Sequence, residues 1–185
     1  MPEPLLGLVL AAGAGTRMGR PKALCTTPDG VPWLRLAHDA LLGGGCARVR
    51  VVLGAAADDA RALVPPGTEV VVAAGWAGGM GASLAAGLAG PPGEVAVVIT
   101  LVDLPDLDAR AVSRVTAAPV GPHDLRRAVF GGSPGHPVLV GRDHWAPLGT
   151  HLHGDAGARG YLLAHPPVEV DCTDLPGGRD RDTPG

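Results

Sequence analysis

Short apolar runs recur along the first 101 residues, and segments with helical spacing separate them. These runs are predicted to be strands because they are short and are bounded by glycine, proline or polar residues. The predicted strands of this half are 6–12, 49–53, 69–73 and 95–101. The helices between them are predicted over 32–42, over 56–63 and from about residue 80 to 90. This alternation indicates an α/β domain with a parallel sheet and right-handed crossovers.

The second half of the chain has a less regular pattern. Asp108 is predicted to cap a helix over 109–117. Two strand-like segments flank a glycine-rich turn at 131–135, which predicts a hairpin that forms part of a lid over the site. The tail from Gly177 is polar and is predicted to be mobile. The remaining predicted elements are strands over 127–130, 137–140 and 168–171 and helices over 141–148 and 158–164.

The stretch LGLVLAAGAGTRMGRPKAL, residues 6–24, joins the first predicted strand to a loop rich in glycine and positive charge. Glycines let the backbone approach a phosphate closely, and cations balance the phosphate charge. A P-loop needs Gly-Lys followed by Ser or Thr, which this chain does not contain. A dinucleotide-binding loop enters a helix at once, but here Pro21 falls inside that helix. The pattern therefore favours a phosphate-binding loop of another kind.

This stretch resembles the signature loop of nucleotidyltransferases, L-A-A-G-x-G-x-R-M-G-x-P-K-x-L, and most closely that of the molybdenum cofactor cytidylyltransferase-like family. The resemblance spans almost the whole chain and includes the segments 78–84, 101–105, 135–138, 154–159 and 180–184. It implies a three-layer, Rossmann-like α/β fold with a mixed, mostly parallel sheet. We expect a single nucleotidyltransferase domain over 1–185, with a nucleotide- and metal-binding half at 1–105 and an acceptor-binding half at 106–176.

Asp103 directly follows the most apolar predicted strand, where a carboxylate is costly without a partner. At this edge of a sheet the partner is often Mg²⁺. The resemblance implies that Asp103 binds Mg²⁺, that Lys22 contacts the phosphates, and that Arg17 stabilises the transition state or the pyrophosphate. Asp182 is a second predicted metal ligand, although the neighbouring Arg181 replaces an apolar residue of the family's D-I-D-T-P pattern.

The resemblance also implies two sets of binding residues. His136 and Arg159 are predicted to contact the acceptor, a pterin with a terminal phosphate. Relatives that use guanine carry L-A-G-G where this chain carries L-A-A-G, so the methyl group of Ala12 is predicted to narrow the base slot and favour CTP. The predicted nucleotide-binding residues are Leu10, Ala11, Ala12, Gly13, Gly15, Lys22, Gly81 and Ser83.

The composition of the chain indicates which partners and which cellular compartment to expect. A net charge of −3 argues against nucleic acid or a membrane surface as a partner. Three scattered cysteines fit a reducing cytoplasm and suggest neither a disulfide framework nor a zinc site. The first apolar run is too short to span a membrane, so we expect a soluble cytoplasmic protein.

The leading hypothesis is Mg²⁺-dependent transfer of CMP from CTP to molybdopterin-type cofactor, with release of pyrophosphate and with a molybdenum hydroxylase as a client. One alternative is a guanylyltransferase, or transfer to another phosphorylated cofactor precursor. A second alternative is a chaperone that binds a molybdenum cofactor nucleotide without turnover. The third is an NAD(P)-dependent oxidoreductase, which Pro21 and the lack of an acidic residue just after 49–53 disfavour.

Overall fold

The computed structural model describes residues 3–90, 93–117 and 119–180. In this part of the chain, seven strands form one sheet in the order β3-β2-β1-β4-β6-β5-β7. The strands are Leu5–Ala11 (β1), Arg48–Leu53 (β2), Glu69–Val72 (β3), Ala96–Leu101 (β4), Leu125–Phe130 (β5), Ser133–Gly141 (β6) and Val168–Asp171 (β7). Neighbouring strands are parallel except where β6 pairs antiparallel with β4 and β5. The predicted mixed, mostly parallel sheet is therefore confirmed.

Helices cover both faces of the sheet and complete three layers. The helices are Trp33–Gly43 (α1), Ala57–Arg61 (α2), Met80–Leu88 (α3), Ala109–Val115 (α4), Trp145–Gly149 (α5) and Arg159–Ala164 (α6). One apolar core joins the sheet to α1, α2 and α4, and a second core joins its other face to α3, α5 and α6. Alternate residues of β1 serve the two cores: Leu6 and Leu8 belong to the second, while Leu5 and Val9 belong to the first.

The hairpin predicted in the second half is present as β5 and β6. Gly131 and Gly132 form its turn with φ of 58° and 76°, values that favour glycine. Strand β6 lies inside the sheet beside β4, and its residues from Pro137 to Gly141 are buried. The apolar run 137–140 therefore fills a sheet interior, because it would be costly to expose, and the more exposed residues 131–136 are the part that could cover the site.

The first residues of the predicted mobile tail pack against the body of the domain. Gly177 is buried against Leu107, and a side chain at position 178 would collide with the ring of Phe130. Residues 181–185 lie outside the described residues. Among the described helices, none has the length and apolar character needed to cross a membrane.

Candidate nucleotide and acceptor sites

The loop after β1 forms two short 3₁₀ turns instead of a long helix. The turns are Thr16–Met18 and Lys22–Leu24, and Pro21 directly precedes the second. Gly15 has a φ of 63°, and a Cβ atom there would lie 1.9 Å from the carbonyl oxygen of Arg20. Only glycine fits at this position, which lets the loop fold back on itself at the carboxyl end of β1.

A lysine and an aspartate from opposite ends of the nucleotide-binding half meet beside this loop. The Lys22 Nζ atom donates to the Asp103 Oδ2 atom at 2.6 Å, and the two side chains are only 17% and 14% exposed. Asp103 is held here because the Val102 amide donates to the Leu10 carbonyl at 3.1 Å, which joins the end of β4 to that of β1. The structure therefore brings together two of the three predicted catalytic residues.

The chemistry of Asp103 fits a divalent cation. Its Oδ1 atom is buried and has no hydrogen-bond partner among the described residues. A buried carboxylate oxygen without a donor is costly, and a hard cation would satisfy it. Within the described residues, no group of three or more His, Cys, Asp or Glu side chains could hold a metal. Asp182, the second predicted ligand, lies outside the described residues.

The paired charges line a cavity of about 350 Å³ at the carboxyl edge of the sheet. Predicted site residues that line it are Leu10, Ala11, Gly13, Gly15, Arg17, Lys22 and Asp103. Ligands of open α/β sheets bind at this edge, outside the carboxyl ends of the strands.

Three predicted nucleotide-binding residues do not line the cavity. Ala12 is 4% exposed, and a Cβ atom on Gly54 would lie 2.8 Å from its methyl group. Gly81 packs so closely on the backbone of His153 that a side chain there would collide with it. Ser83 is buried, and its hydroxyl donates to the Gly79 carbonyl at 3.4 Å. All three are closely packed, and the small size of Gly81 lets α3 approach the backbone of residues 152–154.

The predicted acceptor residues line a second, larger cavity of about 510 Å³. His136 and Arg159 both contribute to its wall, and most of its other lining side chains are aliphatic. Burial lowers the pKa of His136 to about 4, although the charges of Asp103 and Asp180 oppose this shift. His136 is therefore a neutral imidazole at neutral pH. Leu10, Met80 and Leu101 line both cavities, so the two adjoin.

Among the wall residues that were not predicted as site residues, three have side chains that could contact a ligand. Asp155 lines the first cavity, and Arg127 lines the second. Met80 lines both and is 40% exposed. The G-D-x-G-A-R segment contains Asp155, so the sequence held a signal for that residue. Arg127 carries no such signal, since it belongs to no motif and only the pairing of β5 with β6 brings it to the cavity.

The chain is similar to proteins of one family over most of its length. The sequence pattern of the MobA-like NTP transferase domain matches residues 7–169. Nicotine blue oxidoreductase of Paenarthrobacter nicotinovorans is 36% identical over 189 aligned residues, which cover 96% of this chain and 91% of that protein. A probable molybdenum cofactor guanylyltransferase of Rhodopirellula baltica is 38% identical, but the match covers 57% of this chain and 51% of that protein.

Solved structures agree with this assignment. Rv0371c from Mycobacterium tuberculosis H37Rv is 30% identical and superposes with a TM-score of 0.81, covering 99% of this chain and 94% of its own. The same protein has been solved in complex with manganese, and that structure superposes with a TM-score of 0.72 at 29% identity over 96% of this chain and 94% of its own. The protein belongs to the MobA-like NTP transferase family and is a nucleotidyltransferase.

Proposed function

We propose that this protein transfers CMP from CTP to a molybdopterin-type cofactor, with Mg²⁺ as the divalent cation and pyrophosphate as the second product. The observation that carries this proposal is the Lys22–Asp103 pair, which lines a cavity that adjoins a larger, mainly aliphatic one. Two adjoining cavities are what a transferase with two substrates requires.

The residues of the first cavity suit phosphoryl chemistry. In this reaction an oxygen of the acceptor attacks the α-phosphorus, and the bond to the bridging oxygen of pyrophosphate breaks. Negative charge grows on the phosphate oxygens, so fixed cations lower the barrier. Lys22 and Arg17 line this cavity and would supply that charge. No protein nucleophile is needed.

Asp103 is the residue that would hold Mg²⁺, because its Oδ1 atom is buried without a partner among the described residues. When bound, the cation neutralises phosphate charge and orients the triphosphate. Support for a divalent cation also comes from the manganese complex of Rv0371c, which is 29% identical to this chain.

The second cavity suits a large, partly planar acceptor. Its wall combines aliphatic side chains with Arg127, Arg159 and the neutral His136. A molybdopterin-type cofactor fits such a wall, because the faces of its pterin can pack on aliphatic side chains and its anionic groups can bind the arginines. The relative named as a probable molybdenum cofactor guanylyltransferase supports the choice of a molybdopterin-type cofactor as the acceptor. We further propose that a molybdenum hydroxylase receives the product. We also propose that the protein works in a reducing cytoplasm, because Cys25, Cys46 and Cys172 are all free and buried.

The choice of CTP depends on packing beneath the signature loop. The methyl group of Ala12 and the Cβ atom of Trp76, in the turn Trp76–Gly78 that precedes α3, both pack against Gly54. The methyl group fills space there and therefore narrows the slot between the loop and the turn. We therefore propose that Ala12 acts through the width of this slot and disfavours a purine, although it does not line the cavity. GTP is the alternative donor.

An oxidoreductase is the second candidate, and one observation favours it. Nicotine blue oxidoreductase is 36% identical over nearly the whole chain. Against it, the loop after β1 enters a three-residue 3₁₀ turn where dinucleotide-binding folds have a long helix. Titration with NADH and NADPH, with nicotine blue as the oxidant, tests this candidate directly.

The test of the proposal is pyrophosphate release across the four NTPs, with and without a molybdopterin-type acceptor and Mg²⁺. We expect release that needs the acceptor and is fastest with CTP. Acceptor binding without pyrophosphate release from any NTP would contradict the proposal in favour of the chaperone.

A further inference from the structure

One row of residues crosses four strands of the sheet on the face that forms the second cavity. Strand pairing places Val138 opposite Ile99 on one side and opposite Arg127 on the other. Glu169 lies opposite Arg127 on the next strand. Ile99, Val138 and Arg127 all line the cavity, so its floor changes from aliphatic to cationic along this row.

Arg127 is only partly satisfied by the protein. Its Nη2 atom donates to the Glu169 Oε1 atom at 2.8 Å. Its Nε atom is buried and has no hydrogen-bond partner among the described residues. A guanidinium group has five N–H donors in a fixed plane and binds carboxylate or phosphate oxygens with two of them. An anionic ligand oxygen in the cavity would therefore satisfy a donor that the protein leaves unpaired.

Arg127 is set apart from the reacting groups. It lines the second cavity, whereas Lys22 and Asp103 line the first. It also lies two strands away from β4, about 10 Å across the sheet. A phosphate that attacks beside Lys22 and Asp103 therefore occupies the other cavity from Arg127.

We infer that Arg127 binds an anionic oxygen at the end of the acceptor remote from the group that reacts. This inference rests on the proposed function and narrows its substrate class. The acceptor is an elongated molecule with a reacting phosphate at one end, an apolar or planar middle, and a second oxyanion at the other end. Glu169 holds the guanidinium in place and offsets part of its charge. Arg127 is thus a specificity-determining residue and takes no part in the chemical step.

Equilibrium binding of molybdopterin-type acceptor in the absence of NTP tests this inference, followed by steady-state kinetics with CTP. We expect Arg127→Met to raise the Kd and the KM for the acceptor at least about tenfold, which is the scale of a charge-assisted hydrogen bond. The KM for CTP and the kcat should stay within about twofold, because no contact with the reacting atoms is lost. Arg127→Lys keeps the charge but loses Nε, so its acceptor Kd should lie between those of the wild type and Arg127→Met. Glu169→Gln should lower the acceptor Kd.

Arg35→Met is the matched control, since Arg35 is 61% exposed on α1 and pairs only at the surface with Asp39. It should leave both acceptor constants unchanged. Equal acceptor affinity in the wild type and in Arg127→Met and Arg127→Lys would overturn the inference while leaving the proposed function intact. An acceptor that the wild type does not bind would instead contradict the proposed function.

Discussion

At the scale of single residues, the proposed chemistry centres on Asp103. Lys22 compensates one oxygen of its carboxylate at 2.6 Å, and the other is buried without a partner among the described residues. This arrangement favours binding of a further positive charge, because the ion pair with Lys22 leaves the Oδ1 atom of Asp103 unsatisfied.

Asp103→Asn should abolish turnover and leave the fold intact. The neutral amide is a poor ligand for Mg²⁺ and no longer balances Lys22, so we expect a loss of at least about a hundredfold in kcat. Pyrophosphate release measures the activity, and thermal unfolding measures the fold. Asp29→Asn, at an exposed position outside both cavities, is the control and should behave as the wild type. If Asp103→Asn turned over at the wild-type rate at limiting Mg²⁺, Asp103 would not be the metal ligand.

Ala12→Gly should relax the preference for CTP over GTP without reversing it. Removing one methyl group from a packed slot changes discrimination by about 1–3 kcal/mol, or roughly 10- to 200-fold. The ratio of kcat/KM for the two donors with one acceptor measures the effect. Since Ala12 is buried, the variant should also lose some stability, which thermal unfolding reports separately. An unchanged donor ratio would show that base selection lies elsewhere.

At the scale of elements, α3 links the site to a partly buried ion network at the opposite end of the sheet. The helix begins at Met80, which lines both cavities, and ends at Leu88. Arg50, only 8% exposed, donates to the carbonyl groups of Gly87 and Ala89 at 2.6 and 3.3 Å. It thereby satisfies the last carbonyl groups of α3 and complements the negative end of the helix dipole.

Arg50→Met should lower the free energy of unfolding by about 2 kcal/mol or more. The substitution leaves two carbonyl groups without their donor and removes the ion pair between Arg50 and Glu69 at 2.9 Å. Urea denaturation measures the loss. Arg35→Met is again the matched control, because its exposed pair with Asp39 is worth about 0.5 kcal/mol or less. If the two variants lost equal stability, Arg50 would not anchor α3.

Glu69 gives the same network a pH dependence. Burial alone raises the pKa of Glu69, but hydrogen bonds from Arg50 and Arg48 and their charges outweigh it, so the pKa lies below its usual 4.5. The stabilisation by Glu69 is therefore complete above pH 4.5 and is lost as the pH falls through the lowered pKa. The free energy of unfolding of Glu69→Gln should approach that of the wild type as the pH falls below this value. A constant difference would contradict the assignment.

Elements whose signals are local in the sequence were predicted well. The strand over 168–171 and the helix cap at Asp108 appear as expected, and the Asp108 side chain accepts from the Arg110 amide at 2.8 Å. The hairpin was predicted as a pair of strands, but its place in the sheet was not predicted. Whether a hairpin covers a site or enters the sheet depends on pairing between β6 and β4, and the local pattern of 131–140 carries no information about that partner.

At the scale of the whole molecule, the site is a product of sheet topology. Lys22 and Asp103 are 81 residues apart and meet because β1 and β4 are parallel neighbours whose carboxyl ends coincide. The sequence could identify both residues from their motifs, and parallel strands made their proximity predictable. Arg127 was not predictable in this way. It lies on β5 and lines the second cavity because the antiparallel strand β6 is inserted between β4 and β5.

The most direct test of the account follows the α-phosphate of the donor. CTP labelled at the α-phosphorus is incubated with the protein, Mg²⁺ and molybdopterin-type acceptor, and the acceptor is then separated and counted. We expect label on the acceptor as a CMP adduct, with one pyrophosphate released for each adduct formed. Label that stays in CTP, while the acceptor is bound and the protein is folded, would contradict nucleotidyl transfer at the Lys22–Asp103 site.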